Sequence, residues 1–143
     1  MAKAKYELVG NVAVITLADP ATLNAIAPEM IAEVDAFIDR AVSEARAIVL
    51  TGEGRGFSSG ANLAGRDRPT SEDGGIDLGI RLEETYNPFV TKLRALPIPI
   101  VTAVNGAAAG IGCSFALLGD IIVAAESAYF LQAFRRIGLV PDG

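Results

Sequence analysis

The chain has 143 residues, 51% hydrophobic and 20% charged, which suits one domain with a packed core and excludes a disordered chain. A net charge of −5 argues against nucleic acid as the main partner, because phosphate binding needs a basic surface. With no histidine and no tryptophan, the commonest general base and metal ligand are missing, so no metal site is expected and any chemistry falls to carboxylates, hydroxyls, amines, one thiol or the main chain.

One cysteine, Cys113, rules out an internal disulfide framework and points to a reducing compartment. The start Met1-Ala2-Lys3-Ala4-Lys5-Tyr6 has no apolar stretch behind it long enough for a signal peptide. No apolar run reaches the ~18–20 residues of a membrane span. The sequence therefore reads as a soluble, cytoplasmic protein with no membrane partner.

Taken in chain order, Tyr6–Val9 and Val12–Leu17 are β-rich runs split by Gly10-Asn11, a hairpin pattern. Asp19-Pro20 then breaks the strand. A helix is expected from Pro28, with Ile31, Val34, Ile38 and Ala41 at helical spacing. Ala47–Thr51 reads as a buried strand running into a loop, Gly52-Glu53-Gly54-Arg55-Gly56. Residues 65–77 are the most polar and turn-rich, and a mobile surface loop is expected there. A second helix follows, roughly Leu78–Ala95, with Leu82, Tyr86, Phe89, Val90 and Leu93 on one face and a kink at Pro88. Ile100–Val104 is a strand, and Asn105-Gly106 turns it into a small-residue helix, Ala107–Leu118. Asp120, expected to hold a structural hydrogen bond, precedes short strands at Ile121–Ala124 and Tyr129–Leu131. The whole chain, 1–143, reads as part of a single domain.

Two segments look built for close approach of a ligand to the main chain. They are Phe57-Ser58-Ser59-Gly60-Ala61-Asn62-Leu63 and Asn105-Gly106-Ala107-Ala108-Ala109-Gly110-Ile111-Gly112. Small residues let a substrate touch the backbone, and a helix N-terminus offers unpaired N–H groups. Two such donors converging on one oxygen make an oxyanion hole. Glycine-alanine runs equally allow tight helix–strand packing.

These segments, with Asn24-Ala25, Ala47 to Gly54, Pro97 to Asp120 and Ile137 to Asp142, resemble the crotonase family, the enoyl-CoA hydratase/isomerase group. The resemblance implies an α/β fold, a right-handed spiral of ββα units. Family members run to roughly twice this length and assemble as homotrimers or hexamers, so the C-terminal helical half is missing from this chain. The implied substrate is an acyl-CoA thioester, with coenzyme A entering as part of it and no separate cofactor. The implied oxyanion donors are the N–H groups of Ala61, after Gly60, and Ile111, after Gly110. Ala25, Ser59, Gly60, Asn62, Leu63, Gly110, Ser114 and Phe134 would line the substrate site, with the adenine near Ser59 and Ala61. Hydratases of the family carry an aspartate at the position of Asn62.

The departures select among the family's reactions. Its hydratases use two glutamates to activate water, at the positions of Ser114 and Phe134, and neither residue is an acid. Asp142, in Leu139-Val140-Pro141-Asp142-Gly143, matches the acid by which family isomerases shuttle a proton. Pro-Asp-Gly is also an ordinary turn. The stretches Glu83 to Phe89 and Phe134 to Leu139 look like those of the phenylacetate-degradation isomerases, which rearrange a ring-epoxidised phenylacetyl-CoA. An isomerase is therefore expected, with an atypical hydratase as the alternative.

Readings from other classes carry less. Gly112-Cys113-Ser114-Phe115-Ala116 nearly spells a nucleophile elbow, but a chain without histidine has no Ser-His-acid triad. Gly110-Ile111-Gly112 lacks the third glycine of a dinucleotide fingerprint, since Phe115 stands there. An inactive CoA-thioester-binding or structural fragment remains open. Cys113 reads as a buried space-filler.

Overall fold

The computed structural model describes residues 2–62, 78–134, 138 and 140. The expected loop over 65–77 lies outside the described residues.

The chain begins with the expected hairpin: β1 (Ala4–Val9) and β2 (Val12–Leu17) pair antiparallel about Gly10-Asn11, from Ala4 opposite Leu17 to Val9 opposite Val12. Asp19-Pro20 ends β2, and a 3-10 turn, Pro20–Thr22, leads on. Pro28 opens α1 (Pro28–Glu44), where its fixed φ and missing N–H cost nothing. Met30, Ile31, Val34, Ile38 and Ala41 form its buried stripe. Each large side chain among them gains about 1.5–3 kcal/mol by leaving water, and that, more than intrinsic propensity, holds the helix.

β3 (Ala47–Gly52) pairs parallel to β2. β4 (Gly56–Ser58) follows, a strand not expected from the sequence that starts at the last residue of the expected loop. The long second helix is three pieces: α2 (Leu78–Arg81), a π-helical segment Leu82–Tyr86, and α3 (Asn87–Arg94). The kink expected at Pro88 takes this form because proline lacks an N–H and its ring crowds the carbonyl four residues back; widening the preceding turn relieves both. Tyr86, Phe89 and Leu93 are buried, as the spacing predicts.

β5 (Ile100–Val104) pairs parallel to β3. The predicted helix Ala107–Leu118 is corrected at its start: β6 (Ala107–Ala109) is a strand, and α4 runs only from Ile111 to Leu117. Three alanines favour a helix, but here they hydrogen-bond between two neighbouring strands, and tertiary pairing outweighs propensity. β7 (Ile121–Ala124) and β8 (Tyr129–Leu131) complete the described elements.

The strands form two sheets. The larger has the order β1-β2-β3-β5-β7, and the smaller has β4-β6-β8, all parallel. The chain thus repeats one unit, a strand in the large sheet, a strand in the small sheet, then helix: β3-β4-α3, then β5-β6-α4, then β7-β8. Ile15, Leu17, Ile48, Leu50, Ile100 and Val104 alternate toward the helices and form one core with them. Phe89 and Phe115 meet at 5.4 Å between ring centres, joining α3 to α4. Lys92 bridges Asp35 and Asp39, both at 2.7 Å, joining α3 to α1. Asp120 has a structural role: its carboxylate accepts the Ile100 N–H at 2.8 Å and its own N–H returns a bond to the Ile100 carbonyl. Among the described residues no helix is long and apolar enough to cross a membrane.

Candidate active site

The small sheet decides where the two glycine-containing turns meet. β4 and β6 are parallel neighbours, with Ser58 opposite Ala108. Gly60 lies two residues beyond Ser58, and Gly110 two beyond Ala108. Ala61 and Ile111 are each three residues beyond the same paired position. Parallel strands run ~4.8 Å apart, so the two turns leave the sheet side by side.

The first turn is fixed on three sides. Ser59 donates its N–H to the Leu23 carbonyl and its hydroxyl to the Thr22 carbonyl, both at 2.8 Å. Gly60 donates its N–H to Ser58 Oγ at 3.2 Å, and its carbonyl accepts the Ile26 N–H at 2.7 Å. The Asn62 N–H donates to the Ile26 carbonyl at 2.8 Å. Gly60 has φ +97°, and a Cβ there would stand 2.7 Å from the Ala109 carbonyl oxygen, so both conformation and space demand glycine.

In the second turn Gly110 has φ +52° and donates its N–H to the Leu131 carbonyl at 2.9 Å. Its own carbonyl accepts the N–H of Cys113 at 2.9 Å and of Ser114 at 3.4 Å, which closes the first turn of α4. A Cβ on Gly60 would lie 3.7 Å from the Gly110 Cα, and one on Gly110 3.9 Å from the Gly60 Cα, so a side chain on either glycine would meet the other.

Each glycine is followed by an amide that has no acceptor among the described residues. Ile26 bridges Gly60 and Asn62, so the Ala61 N–H faces away from Ile26. Ile111 is the first residue of α4, where no intrahelical acceptor exists. Neither N–H meets an acceptor among the described residues. Leaving a main-chain donor unsatisfied costs roughly 1–3 kcal/mol when it is buried, and an external oxygen is one acceptor that would remove that cost.

The remaining sequence candidates fall into two groups. Ala25 is buried beside the first turn, and Ser59, Ala61 and Asn62 line it. Ser114 is half-buried on α4, four residues after Gly110, and Phe134 is half-buried. Leu63 and Asp142 lie outside the described residues. Burial pushes the Cys113 thiol up, more than a hydrogen bond with the Leu131 main chain lowers it, so it is protonated and unreactive at neutral pH.

Three supporting residues lie in segments the sequence singles out, but with no role of their own assigned there. Asn24 is fully buried at φ +56°. It accepts the Asp19 N–H at 2.9 Å and donates to the carbonyls of Glu53 at 2.9 Å and Gly56 at 2.8 Å. Asn105 holds the same loop from the other side, through the Gly52 N–H and the carbonyls of Gly54 and Gly56. Ser58, also fully buried, ties Asn24 to Gly60. An Asn that tolerates left-handed φ just after a turn signal was the available clue.

A family model described as enoyl-CoA hydratase/isomerase matches residues 7–143. The chain belongs to the enoyl-CoA hydratase/isomerase family. It is 47% identical over 141 residues to a Rhodobacter capsulatus protein named "Probable enoyl-CoA hydratase", covering 96% of this chain and 52% of that one. It is 43% identical over 135 residues to the 1,2-epoxyphenylacetyl-CoA isomerase of Escherichia coli, covering 92% and 51%. Among solved structures, an enoyl-CoA hydratase/isomerase from Xanthobacter autotrophicus superposes with a TM-score of 0.84 at 31% identity, covering 95% of this chain and 51% of that one. The crotonase-type α/β fold expected from the sequence is thus the observed one. The chain spans about half the length of the curated relatives it matches.

Proposed function

We propose that the protein binds an acyl-CoA thioester and isomerises it through an enolate whose oxygen is held by the N–H groups of Ala61 and Ile111. The observation that carries this reading is the pair of amides with no acceptor among the described residues, one after each of two facing glycines. Removing a proton beside a thioester carbonyl places negative charge on its oxygen. Fixed main-chain dipoles stabilise that charge without reorganising, at about 2.7–4 kcal/mol per donor in other enzymes.

Isomerisation is favoured over hydration by what the acid positions contain. Ser114 and Phe134 stand where the family's hydratases carry glutamates, and neither activates water. One carboxylate suffices for a 1,3-shift. It takes the proton from the carbon next to the thioester, the double bond migrates, and the same proton returns two carbons further along. By resemblance that carboxylate is Asp142. Ring-epoxide rearrangement is the variant suggested by the 43% identical isomerase, and hydration is the second reading, suggested by the 47% identical relative named as a hydratase.

The test offers the full-length protein 3-enoyl-CoA, 2-enoyl-CoA and ring-epoxide thioesters. Double-bond or ring isomerisation without water addition is expected, with kcat reduced at least ~10²-fold in Asp142→Asn. Rapid hydration of 2-enoyl-CoA by wild type and variant alike would select the hydratase reading.

A further inference from the structure

We propose that Ser58 is a positioning residue that aims the Ala61 amide, its buried hydroxyl locking the turn in the one conformation that presents the donor. This rests on the oxyanion-hole reading above.

Ser58 is 0% exposed, yet its hydroxyl is fully used. It donates to the Asn24 carbonyl at 2.8 Å and accepts the Gly60 N–H at 3.2 Å. The same side chain lies against α4, since a Cβ on Gly112 would fall 2.6 Å from Ser58 Oγ and 2.7 Å from its Cβ. One side chain therefore touches the turn that holds Ala61, the residue next to Ile111, and the Asn24 carbonyl.

The geometry makes this a matter of direction as well as stability. In a trans peptide the C=O and the following N–H point opposite ways. Ile26 grips the Gly60 carbonyl, and so the Ala61 N–H in the same plane points away from Ile26. That plane is set by the torsions of Gly60, the residue type with the widest freedom. Ser58 holds the other side of Gly60 by its N–H. With both grips in place Gly60 is held at φ +97°. Without the hydroxyl, Gly60 can rotate and the Ala61 donor swings with it. No substrate atom need touch Ser58.

The experiment uses the full-length protein and a saturated acyl-CoA isotopically labelled at the thioester carbonyl. The carbonyl stretching frequency of the bound probe reports hydrogen bonding to its oxygen directly, without turnover. In wild type the band is expected at lower frequency than for the probe in water. In Ser58→Ala roughly half of that displacement is lost, because one of two donors is misaimed, while probe affinity stays within about twofold. On a turned-over substrate, kcat falls about 10–10²-fold and KM is nearly unchanged, the signature of an interaction stronger in the transition state. Should Ser58→Ala not be recovered folded, Ser58→Cys, with its weak S–H donor, replaces it and should give an intermediate displacement. A folded variant with the full wild-type displacement overturns the positioning role. Absence of any displacement in wild type overturns the oxyanion-hole reading itself.

Discussion

Gly60→Ala, paired with Gly10→Ala, separates backbone strain from loss of aim. Both glycines have positive φ, +97° and +59°. A side chain in that region costs about 1–2 kcal/mol on conformational grounds alone. At Gly10 an added Cβ meets nothing within 4 Å, so that cost is the whole effect. At Gly60 the added Cβ meets the Ala109 carbonyl oxygen at 2.7 Å, and the touching backbones of β6 and the first turn must part by several tenths of an ångström. Movement of Ser59-Gly60-Ala61 displaces the Ala61 donor, and a misplacement approaching ~1 Å in a catalytic group costs about 10²-fold in rate. Denaturant unfolding and steady-state kinetics on the full-length protein read the two effects apart. Gly10→Ala should lose ~1–2 kcal/mol of stability with kcat unchanged. Gly60→Ala should lose at least as much stability and about 10²-fold in kcat. A folded Gly60→Ala protein with kcat within roughly threefold of wild type, well under 1 kcal/mol of barrier, would refute the reasoning.

Two further outcomes follow from charge and burial. A 2.7 Å hydrogen bond from Lys3 holds the Asp19 carboxyl below its usual range, against a burial effect that raises it. A carboxyl depressed in the folded state adds stability above its unfolded pKa and loses it as pH falls through the folded value. Lys3→Met should therefore flatten the acid limb of the stability–pH curve, and an unchanged slope would rule the pair out as its cause. Cys113 is buried with its thiol raised, so alkylation at neutral pH should be slow and should accelerate with denaturant in step with unfolding. Fast labelling of the native protein would contradict that burial.

How much of this was legible in the sequence depended on element length. β2 and β3 alternate, and α1 repeats at helical spacing, long enough for a period to show. β4 and β6 have three residues each, Gly-Phe-Ser and Ala-Ala-Ala, too short and too small to display one. Their strand character comes entirely from neighbours far along the chain. Asn24 was readable as part of a family motif, but its partners at Glu53 and Gly56 are 29 and 32 residues away, and no local pattern announces them. The two amides were named only through the family resemblance, because a main-chain donor leaves no mark on the side chain that carries it. Pro88 announced a break in the second helix, although not that a π turn would absorb it.

The alignment of the two amides depends on an irregularity in the small sheet. From Gly56 opposite Ala107 to Ser58 opposite Ala108, two steps along β4 match one along β6. In a regular ladder Ser58 would face Ala109, and Ala61 would then stand level with Gly112 instead of Ile111. Successive N–H groups in an extended chain point to opposite sides, so a slip of one turns a donor away from its partner. The extra residue is Phe57, which is 0% exposed. Its side chain is among the largest fully buried in the core, so the bulge is held by hydrophobic burial and not by turn chemistry. Bulges of this kind re-aim backbone next to sites of function. Packing in the interior thereby sets the phase in which the two turns leave the sheet, and on the proposed reading a site built from main-chain atoms is as sequence-specific as one built from side chains.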